Sequence, residues 1–203
     1  MKKIISLTSF PARINYVKHT IISLINQNIT ADKIVLYLGA DKFPNKEKDI
    51  PQDLLQLIGK KFEIHWVDRD LRSFTKLLPA LKEYPDDIII TADDDIIYPN
   101  NWLQLLYQSY LQNPEFIHCH RAHQITFRKG KINSYNNWNK SIASGVSYNN
   151  FLTGVGGVLY PPKTLHKDVF NEQSFKTLCP YADDIWFWAM ALLNNVKIKV
   201  VEN

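Results

Sequence analysis

The sequence predicts an α/β fold with a mostly parallel, twisted sheet and helices on both faces. Two observations carry this prediction. Short apolar runs alternate with segments of helical periodicity through the first half of the chain, and one run, Ile88-Ile89-Ile90, is apolar at every position. Strands buried on both faces have such continuous apolar runs, which is typical of parallel sheets covered by helices. The length of 203 residues fits a single domain.

Strands and helices alternate regularly in the first half of the chain. The expected strands are Lys3–Leu7, Lys33–Leu38, Phe62–Val67 and Asp87–Ala92. After Pro11, which suits the start of a helix, apolar residues recur at helical spacing over about residues 13–27. Further helices are expected at Pro51–Ile58, Thr75–Glu83 and Asn100–Leu111.

The second half of the chain has a less regular pattern. The expected strands are Phe116–His120, Gln124–Arg128, Gly156–Tyr160 and Val196–Val200, and Ala182–Leu193 is an expected helix. The turn residues Lys129-Gly130-Lys131 indicate a hairpin that returns through Ile132–Ser134. We expect the polar stretch Tyr135–Tyr148 to be a loop.

Composition excludes several classes of protein. Apolar residues make up 45% and charged residues 22%, which excludes a disordered chain, a collagen and a coiled coil. The formal charge of +4 suits a phosphate-bearing ligand or an anionic membrane surface. We expect no nucleic-acid partner, because no dense run of Lys and Arg has interleaved aromatic residues. Cys119 and Cys179 form no CxxC pair, which fits a reducing, cytoplasmic compartment.

Three adjacent carboxylates, Asp93, Asp94 and Asp95, follow the buried Ile-Ile-Ile run. Ligands of open parallel sheets bind beyond the carboxyl ends of strands. Like charges on a tight loop need a cation or hydrogen bonds to compensate them. Asp93 and Asp95 can point the same way, and such oxygen ligands suit Mg²⁺ or Mn²⁺. The alternative is an acidic cluster stabilised by the dipole of the helix near Asn100.

A second acidic pair, Asp183-Asp184, opens the apolar helix near the end of the chain. An N-cap would explain one of the two carboxylates, and the other could serve as a general base beside bulky aromatic residues. Between the two acidic clusters, three of the chain's seven glycines fall at positions 154, 156 and 157. Glycine lets the backbone approach a ligand closely, although a bulge would give the same pattern. The spacing matches neither a dinucleotide-binding motif nor a P-loop.

Five segments occur in one order along nearly the whole chain: Ser6–Arg13, Thr75–Leu81, Thr91–Pro99, Gly154–Pro162 and Ala182–Trp186. Together they resemble bacterial GT-A glycosyltransferases that build surface polysaccharide or lipopolysaccharide. The resemblance implies a GT-A-like single domain, with a Rossmann-like nucleotide-sugar-binding half over about 1–98 and an acceptor half over about 99–203. It also implies transfer of a sugar, with inversion, from a nucleoside-diphosphate sugar to a saccharide or lipid-linked acceptor. A UDP-sugar is favoured as donor, and Mn²⁺ or Mg²⁺ is the implied cofactor.

The resemblance also assigns roles to residues. Asp95 would bind the metal directly, Asp93 would bind it through water or contact the ribose, and Asp94 would touch the donor sugar. Asp184 matches the catalytic base of inverting members, and Asp183 is the second candidate. The other implied donor-binding residues are Thr8, Ser9, Phe10, Pro11, Arg13, Lys76, Gly156 and Gly157. For Lys76, a solvated helix face is the alternative.

A zinc-dependent hydrolase is a second function that the sequence allows. His118, His120 and His123 have the spacing HxHxxH, which resembles the HxHxDH motif of metallo-β-lactamase-like hydrolases. Ala122 stands where that motif has Asp. The alternative is that these histidines are structural.

A non-catalytic sugar-binding module is a third candidate function, since aromatic residues make up 12% of the chain. For the transferase, candidate platforms for sugar rings are Trp138, Tyr148 and Trp186. A lipid-linked acceptor is compatible with peripheral attachment at the inner face of the plasma membrane, although no basic amphipathic helix indicates it.

Overall fold

A computed structural model describes residues 1–59 and 61–202. The chain divides into two compact units, Met1–Gln104 and Leu105–Asn203. The prediction of an α/β fold with a mostly parallel sheet is confirmed by the strand pairing within them. The division of labour between a donor half and an acceptor half stays a prediction.

The first unit is built on parallel strands. Its described strands are Lys3–Thr8 (β1), Lys33–Gly39 (β2), Phe62–Val67 (β3) and Ile88–Thr91 (β4). They lie in the order β3-β2-β1-β4. The chain therefore runs outward from β1 to β3 and then returns to place β4 on the other side of β1. Such a reversal leaves a crevice at the carboxyl ends of the two strands that flank it, where α/β proteins bind ligands.

Helices cover both faces of this sheet. Those described in the first unit are Val17–Ile25 (α1), Gln52–Leu55 (α2) and Leu78–Glu83 (α3), and Trp102–Gln112 (α4) crosses the unit boundary. Because connections between parallel strands are right-handed, α1 and α2 lie on one face and α3 on the other. Lys18 of α1 forms an ion pair with Asp53 of α2, as expected of helices on the same face.

The second unit mixes parallel and antiparallel pairing. Its described strands are Ile117–Cys119 (β5), Ala122–Gln124 (β6), Phe127–Arg128 (β7), Lys131–Ile132 (β8), Gly145–Ser147 (β9), Asn150–Leu152 (β10), Val158–Tyr160 (β11) and Ile198–Val200 (β12). The order β11-β5-β12-β9 contains one parallel pair, β5 with β12. Two antiparallel pairs, β6 with β10 and β7 with β8, stand apart. Its remaining described α-helices are Glu172–Leu178 (α5) and Asp183–Leu193 (α6).

The helix expected over 13–27 begins later than predicted, at Val17. The backbone amides of Arg13 and Ile14 both donate to the carbonyl of Phe10, so the preceding residues form a turn instead of a helix. The helix expected at Thr75–Glu83 is a 3₁₀ turn, Arg72–Lys76, followed by the shorter α3. A proline in the first turn of α3 explains why this helix begins there.

Three expectations for the second unit need correction. The strand expected at Gln124–Arg128 is wrong, because β6 ends at Gln124 and β7 begins only at Phe127. The polar stretch 135–148 is a loop only in part, since it contains a 3₁₀ turn and β9. The strand expected from Gly156 begins at Val158, after a 3₁₀ turn. The hairpin around Lys129-Gly130-Lys131 is confirmed.

Within the described residues, every helix is too short or too polar to cross a lipid bilayer.

Candidate functional site

The loops that follow β1 and β4 are joined through one carboxylate, that of Asp94. Ser9 Oγ donates to Asp94 Oδ2 at 2.5 Å, and Arg13 Nη1 donates to Asp94 Oδ1 at 2.9 Å. Thr20 of α1 also donates from its hydroxyl to the Asp94 carbonyl. Asp94 is only 7% exposed, so its side chain points into the protein and fixes both loops at the crevice between β1 and β4.

Arg13 forms ion pairs with two carboxylates, those of Asp94 and Asp95. The same Nη1 lies 2.9 Å from Asp95 Oδ2, and both of these side chains are about half exposed. The hydrogen bond to Asp94 and the neighbouring negative charges raise the pKa of Arg13 further above its ordinary value, against the opposing effect of burial. The guanidinium is therefore a permanent cation at the edge of the acidic loop.

Lys76 provides a second cation on the other side of the loop. Its Nζ donates to Asp93 Oδ1 at 3.0 Å, and its backbone carbonyl accepts a bond from Ser6 Oγ in β1. The Lys76 side chain is 9% exposed, so the alternative of a solvated helix face is wrong. The amide of Asp93 donates to the Tyr98 hydroxyl, and burial raises the pKa of Tyr98 so that it stays protonated.

The acidic loop is not a helix N-terminal cluster. Helix α4 begins at Trp102 and has no acidic residue in its first turn. The three carboxylates are instead compensated by the side chains of Ser9, Arg13 and Lys76. This compensation by cations and hydrogen bonds is the condition that adjacent like charges require.

An open cleft of about 400 Å³ adjoins Asp94 and Asp95. It is lined by Arg13, Tyr16, His19, Thr20, Asp94, Asp95 and Ile97. The cleft joins the acidic loop to one face of α1, so the first turns of this helix belong to the site. Tyr16, His19 and Thr20 are cleft residues that the sequence reasoning missed. The helical spacing of Tyr16 and Thr20 was the available signal, since residues four apart share a face.

The acidic loop contains two carboxylates of the chemical type that binds a divalent cation. Asp93 and Asp95 are 24% and 49% exposed at their side chains, on either side of the inward-pointing Asp94. These two carboxylates, one partly buried and one exposed, provide hard oxygen ligands of the kind that Mg²⁺ and Mn²⁺ prefer. Among the described residues, no group of three or more His, Cys, Asp and Glu side chains is arranged to hold a metal. The pair would therefore share the ion with water and ligand oxygens.

The second acidic pair lies at the start of α6. The N-cap of this helix is Ala182, which makes no side-chain cap bond, so the interpretation of one Asp as an N-cap is wrong. The amide of Gly154 donates to Asp184 Oδ1 at 3.0 Å, which fixes that carboxylate, while Asp183 is 8% exposed. Burial and the charges of Asp184 and Asp183 raise the pKa of Tyr160, which stays neutral beside them.

The two predicted sugar-lining glycines have different structural requirements. Gly157 has φ 90° and ψ 143°, a conformation that side-chain-bearing residues rarely adopt. At Gly156, an added Cβ would lie 3.2 Å from the Cβ atoms of both His120 and Arg121. Close packing of the backbone in this unit therefore explains Gly156, and its role in donor binding stays a prediction.

His118 and His123, two of the three histidines proposed as zinc ligands, use their ring nitrogens in other hydrogen bonds. His118 is fully buried; its Nδ1 lies 2.9 Å from Ser109 Oγ and its Nε2 lies 3.0 Å from the Asn113 carbonyl. Burial lowers the pKa of His118 to about 4. His123 Nδ1 accepts a bond from the Ser141 amide. The zinc hydrolase is therefore wrong for the residues that the structure describes, and His118 is structural.

One of the proposed sugar platforms belongs to the core. Trp186 is 5% exposed, and its indole N–H donates to the carbonyl of Val169. Trp138 is partly covered by edge-on contacts with Tyr135 and Phe151. Trp186 is thereby removed as a sugar platform.

No protein-family model and no curated protein sequence matches the chain. Solved structures do match. Residues 1–349 of TarS from S. aureus superimpose with a TM-score of 0.60 at 13% identity, over 100% of this chain and 58% of that one. The same protein in complex with UDP-GlcNAc gives 0.62 at 13% identity, over 100% and 56%. The complex with UDP gives 0.60 at 12% identity, over 100% and 58%.

These matches show the fold and nothing finer, because the sequence identity is low. The chain spans less than two thirds of the length of the TarS structures that it matches.

Proposed function

We propose that the chain is a metal-dependent glycosyltransferase that moves a sugar from a nucleoside-diphosphate sugar to a saccharide or lipid-linked acceptor of bacterial surface glycan synthesis. One observation carries the proposal. At the crevice between β1 and β4, Arg13 forms an ion pair with Asp95 and Lys76 forms one with Asp93, so two cations lie beside two carboxylates. Cations that bind phosphate and carboxylates that bind a divalent ion are both needed for a sugar diphosphate.

A UDP-sugar is the favoured donor. TarS, which has this fold, is recorded in complex with UDP-GlcNAc and with UDP. We assign the nucleoside end of the donor to the segment after β1 that contains Thr8, Ser9, Phe10 and Pro11. Arg13 and Lys76 would contact the diphosphate, and Gly156 and Gly157 the sugar.

Asp93 and Asp95 would hold Mn²⁺ or Mg²⁺. When bound, this ion neutralises the charge that develops on the departing diphosphate. Asp94 has a different role from its neighbours. Because Ser9 and Arg13 occupy its carboxylate in the interior, we assign it to positioning the two loops instead of touching the sugar.

We propose Asp184 as the general base. The Gly154 amide fixes one of its oxygens, and the carboxylate accepts the proton of the acceptor hydroxyl. The hydroxyl oxygen then forms a bond to the anomeric carbon while the bond from that carbon to the diphosphate oxygen breaks, with inversion. Asp183 is the second candidate, and its greater burial makes it less accessible to an acceptor.

A cytoplasmic location fits this donor chemistry. Cys119 and Cys179 are both free thiols, as a reducing compartment requires.

Calorimetry that measures the binding of UDP-GlcNAc to the full chain, with and without Mn²⁺, tests the proposal. We expect binding that needs Mn²⁺, and a loss of affinity on the order of tenfold or more in Asp95→Asn. Asp168→Asn, at an exposed carboxylate elsewhere, is the matched control and should bind as the wild type does. Failure of UDP-GlcNAc, UDP and GDP-mannose to bind in either condition would overturn the proposal.

Release of UDP from UDP-GlcNAc distinguishes an enzyme from a sugar-binding module. A transferase releases UDP in the presence of an acceptor, and it also releases UDP slowly when water takes the acceptor's place. Binding without any release of UDP would instead identify the non-catalytic module.

A further inference from the structure

One long segment of the second unit has no acidic residue. Residues 116–167 contain no Asp or Glu and seven Lys and Arg residues, so the segment carries a formal charge of +7 in a chain whose total is +4. An acid-free segment of this charge attracts anionic surfaces.

A small hairpin within this segment presents two apolar side chains to solvent. Phe127 of β7 lies directly opposite Ile132 of β8 in the antiparallel register, so both side chains lie on the same face. They are 51% and 55% exposed. The turn between the strands has positive φ at Lys129 and Gly130, a tight hairpin turn that holds this pair in register.

Basic side chains occupy the other face and the turn of the same hairpin. Arg128 lies opposite Lys131 on the other face of the hairpin, and Lys129 is in its turn; all three are exposed. Nearby, the Lys140 ammonium lies 3.1 Å from the centre of the Tyr135 ring, and Tyr135 is half exposed. Tyrosine and lysine side chains of this kind suit a membrane interface, since each joins an apolar body to a polar end.

We propose that this hairpin, residues 127–132, docks the chain on an anionic lipid bilayer surface. Phe127 and Ile132 enter the interface between headgroups and acyl chains, and the long side chains of Arg128, Lys129 and Lys131 extend to the phosphates of the headgroups. Charge complementarity favours an anionic surface. The exposed apolar pair favours a bilayer over a soluble polyanion, which offers no apolar region to cover it.

Co-sedimentation of the full chain with lipid vesicles tests this proposal. We expect binding to vesicles of equal parts phosphatidylglycerol and phosphatidylcholine, weakened by added salt, and little binding to phosphatidylcholine alone. Each Lys or Arg near an anionic surface is worth about fivefold in partitioning. The double variant Lys129→Gln/Lys131→Gln should therefore bind the anionic vesicles more than tenfold more weakly. The variant Phe127→Ser/Ile132→Ser should lose at least as much vesicle affinity.

Two matched controls separate docking from general changes in charge or apolar surface. Leu111→Ser/Leu178→Ser removes two exposed apolar side chains from the same unit, and Lys46→Gln/Lys48→Gln removes two exposed charges elsewhere. Both should bind vesicles as the wild type does. Because all the altered side chains are exposed, circular dichroism and melting temperature should stay unchanged in every variant.

Three results would overturn the proposal: no binding of the wild type to phosphatidylglycerol vesicles, wild-type binding by the hairpin variants, or equal losses in the controls. Inorganic polyphosphate provides the remaining comparison. Binding of polyphosphate that is indifferent to Phe127 and Ile132, with no vesicle binding, would identify a polyanion surface in place of a lipid-binding one. The assay contains no sugar nucleotide, so its outcome is independent of the proposed sugar transfer.

Discussion

Ser9 donates a hydrogen bond to Asp94 across 85 positions of sequence, at 2.5 Å, and so joins the loop after β1 to the loop after β4. The middle carboxylate of the acidic loop is thus a structural link, and its neighbours on either side are left more exposed. One short stretch of sequence therefore combines a buried anchor with two candidate metal ligands.

Asp94→Asn should destabilise the fold. The amide cannot carry the charge that Ser9 and Arg13 stabilise, and hydrogen bonds to a charged group contribute about 1.5–3 kcal/mol. Because Arg13 is half exposed and can be hydrated, we expect a loss of about 1–2 kcal/mol in the free energy of unfolding. Urea denaturation followed by circular dichroism measures this loss.

Asp95→Asn is the matched comparison, because the same substitution is made one residue away. The Asp95 carboxylate is 49% exposed, and exposed ion pairs contribute roughly 0–1 kcal/mol. The free energy of unfolding should therefore change by about 0.5 kcal/mol or less. Equal destabilisation by the two variants would show that the buried Asp94 carboxylate contributes no more to stability than the exposed Asp95 carboxylate does.

Arg13→Gln should strengthen the binding of Mn²⁺ to the nucleotide-free protein while weakening the binding of UDP. Arg13 pairs with Asp95 and competes with an added cation for that carboxylate. An exposed pair of this kind is worth about a two- to fivefold change in affinity. Electron paramagnetic resonance of free Mn²⁺ measures the first effect and calorimetry of UDP the second.

The control for this prediction is Arg69→Gln, which removes an exposed arginine from the same unit. It should leave Mn²⁺ affinity unchanged. Weaker Mn²⁺ binding in Arg13→Gln would contradict the competition that we infer.

The sequence predicts those parts of the fold and of the site that leave a pattern in neighbouring residues. Strands β1 to β4 were expected because they are buried apolar runs, and the acidic loop was expected to be a site because it follows such a strand. Strand β9 could not be read from its residues, since Gly145–Ser147 is extended through pairing with the distant β12. The same limit applies to the site, because the burial of Asp94 and Lys76 depends on contacts with residues far away in sequence.

Asp184→Asn should strongly slow sugar transfer and leave donor binding intact. The amide can still accept the bond from Gly154 but cannot take a proton from the acceptor. Loss of a general base costs about 10²–10⁴-fold in rate. Comparison of kcat with the dissociation constant of UDP-GlcNAc separates chemistry from binding. Undiminished transfer would remove Asp184 from the role of base and leave Asp183 as the candidate.

Glu83 should make the stability of the first unit depend on pH. Its carboxylate accepts hydrogen bonds from Tyr37 at 2.7 Å and Tyr84 at 2.9 Å, and lies 3.0 Å from His65 Nδ1. Burial raises the pKa of Glu83, but these contacts outweigh it and lower the pKa below the ordinary value. A carboxyl group whose pKa is lower in the folded state stabilises the fold above its unfolded pKa, which is about 4.3.

This contribution is lost as the pH falls through the folded-state pKa. The wild type should therefore be more stable than Glu83→Gln at neutral pH, and the difference should shrink as the pH falls from about 5 to about 3. Urea denaturation across that range measures the difference. Glu115→Gln, at an exposed glutamate, is the control and should stay close to the wild type throughout. If the free energies of unfolding of the wild type and Glu83→Gln differed equally at neutral and acidic pH, the stabilisation would not come from the ionised carboxylate.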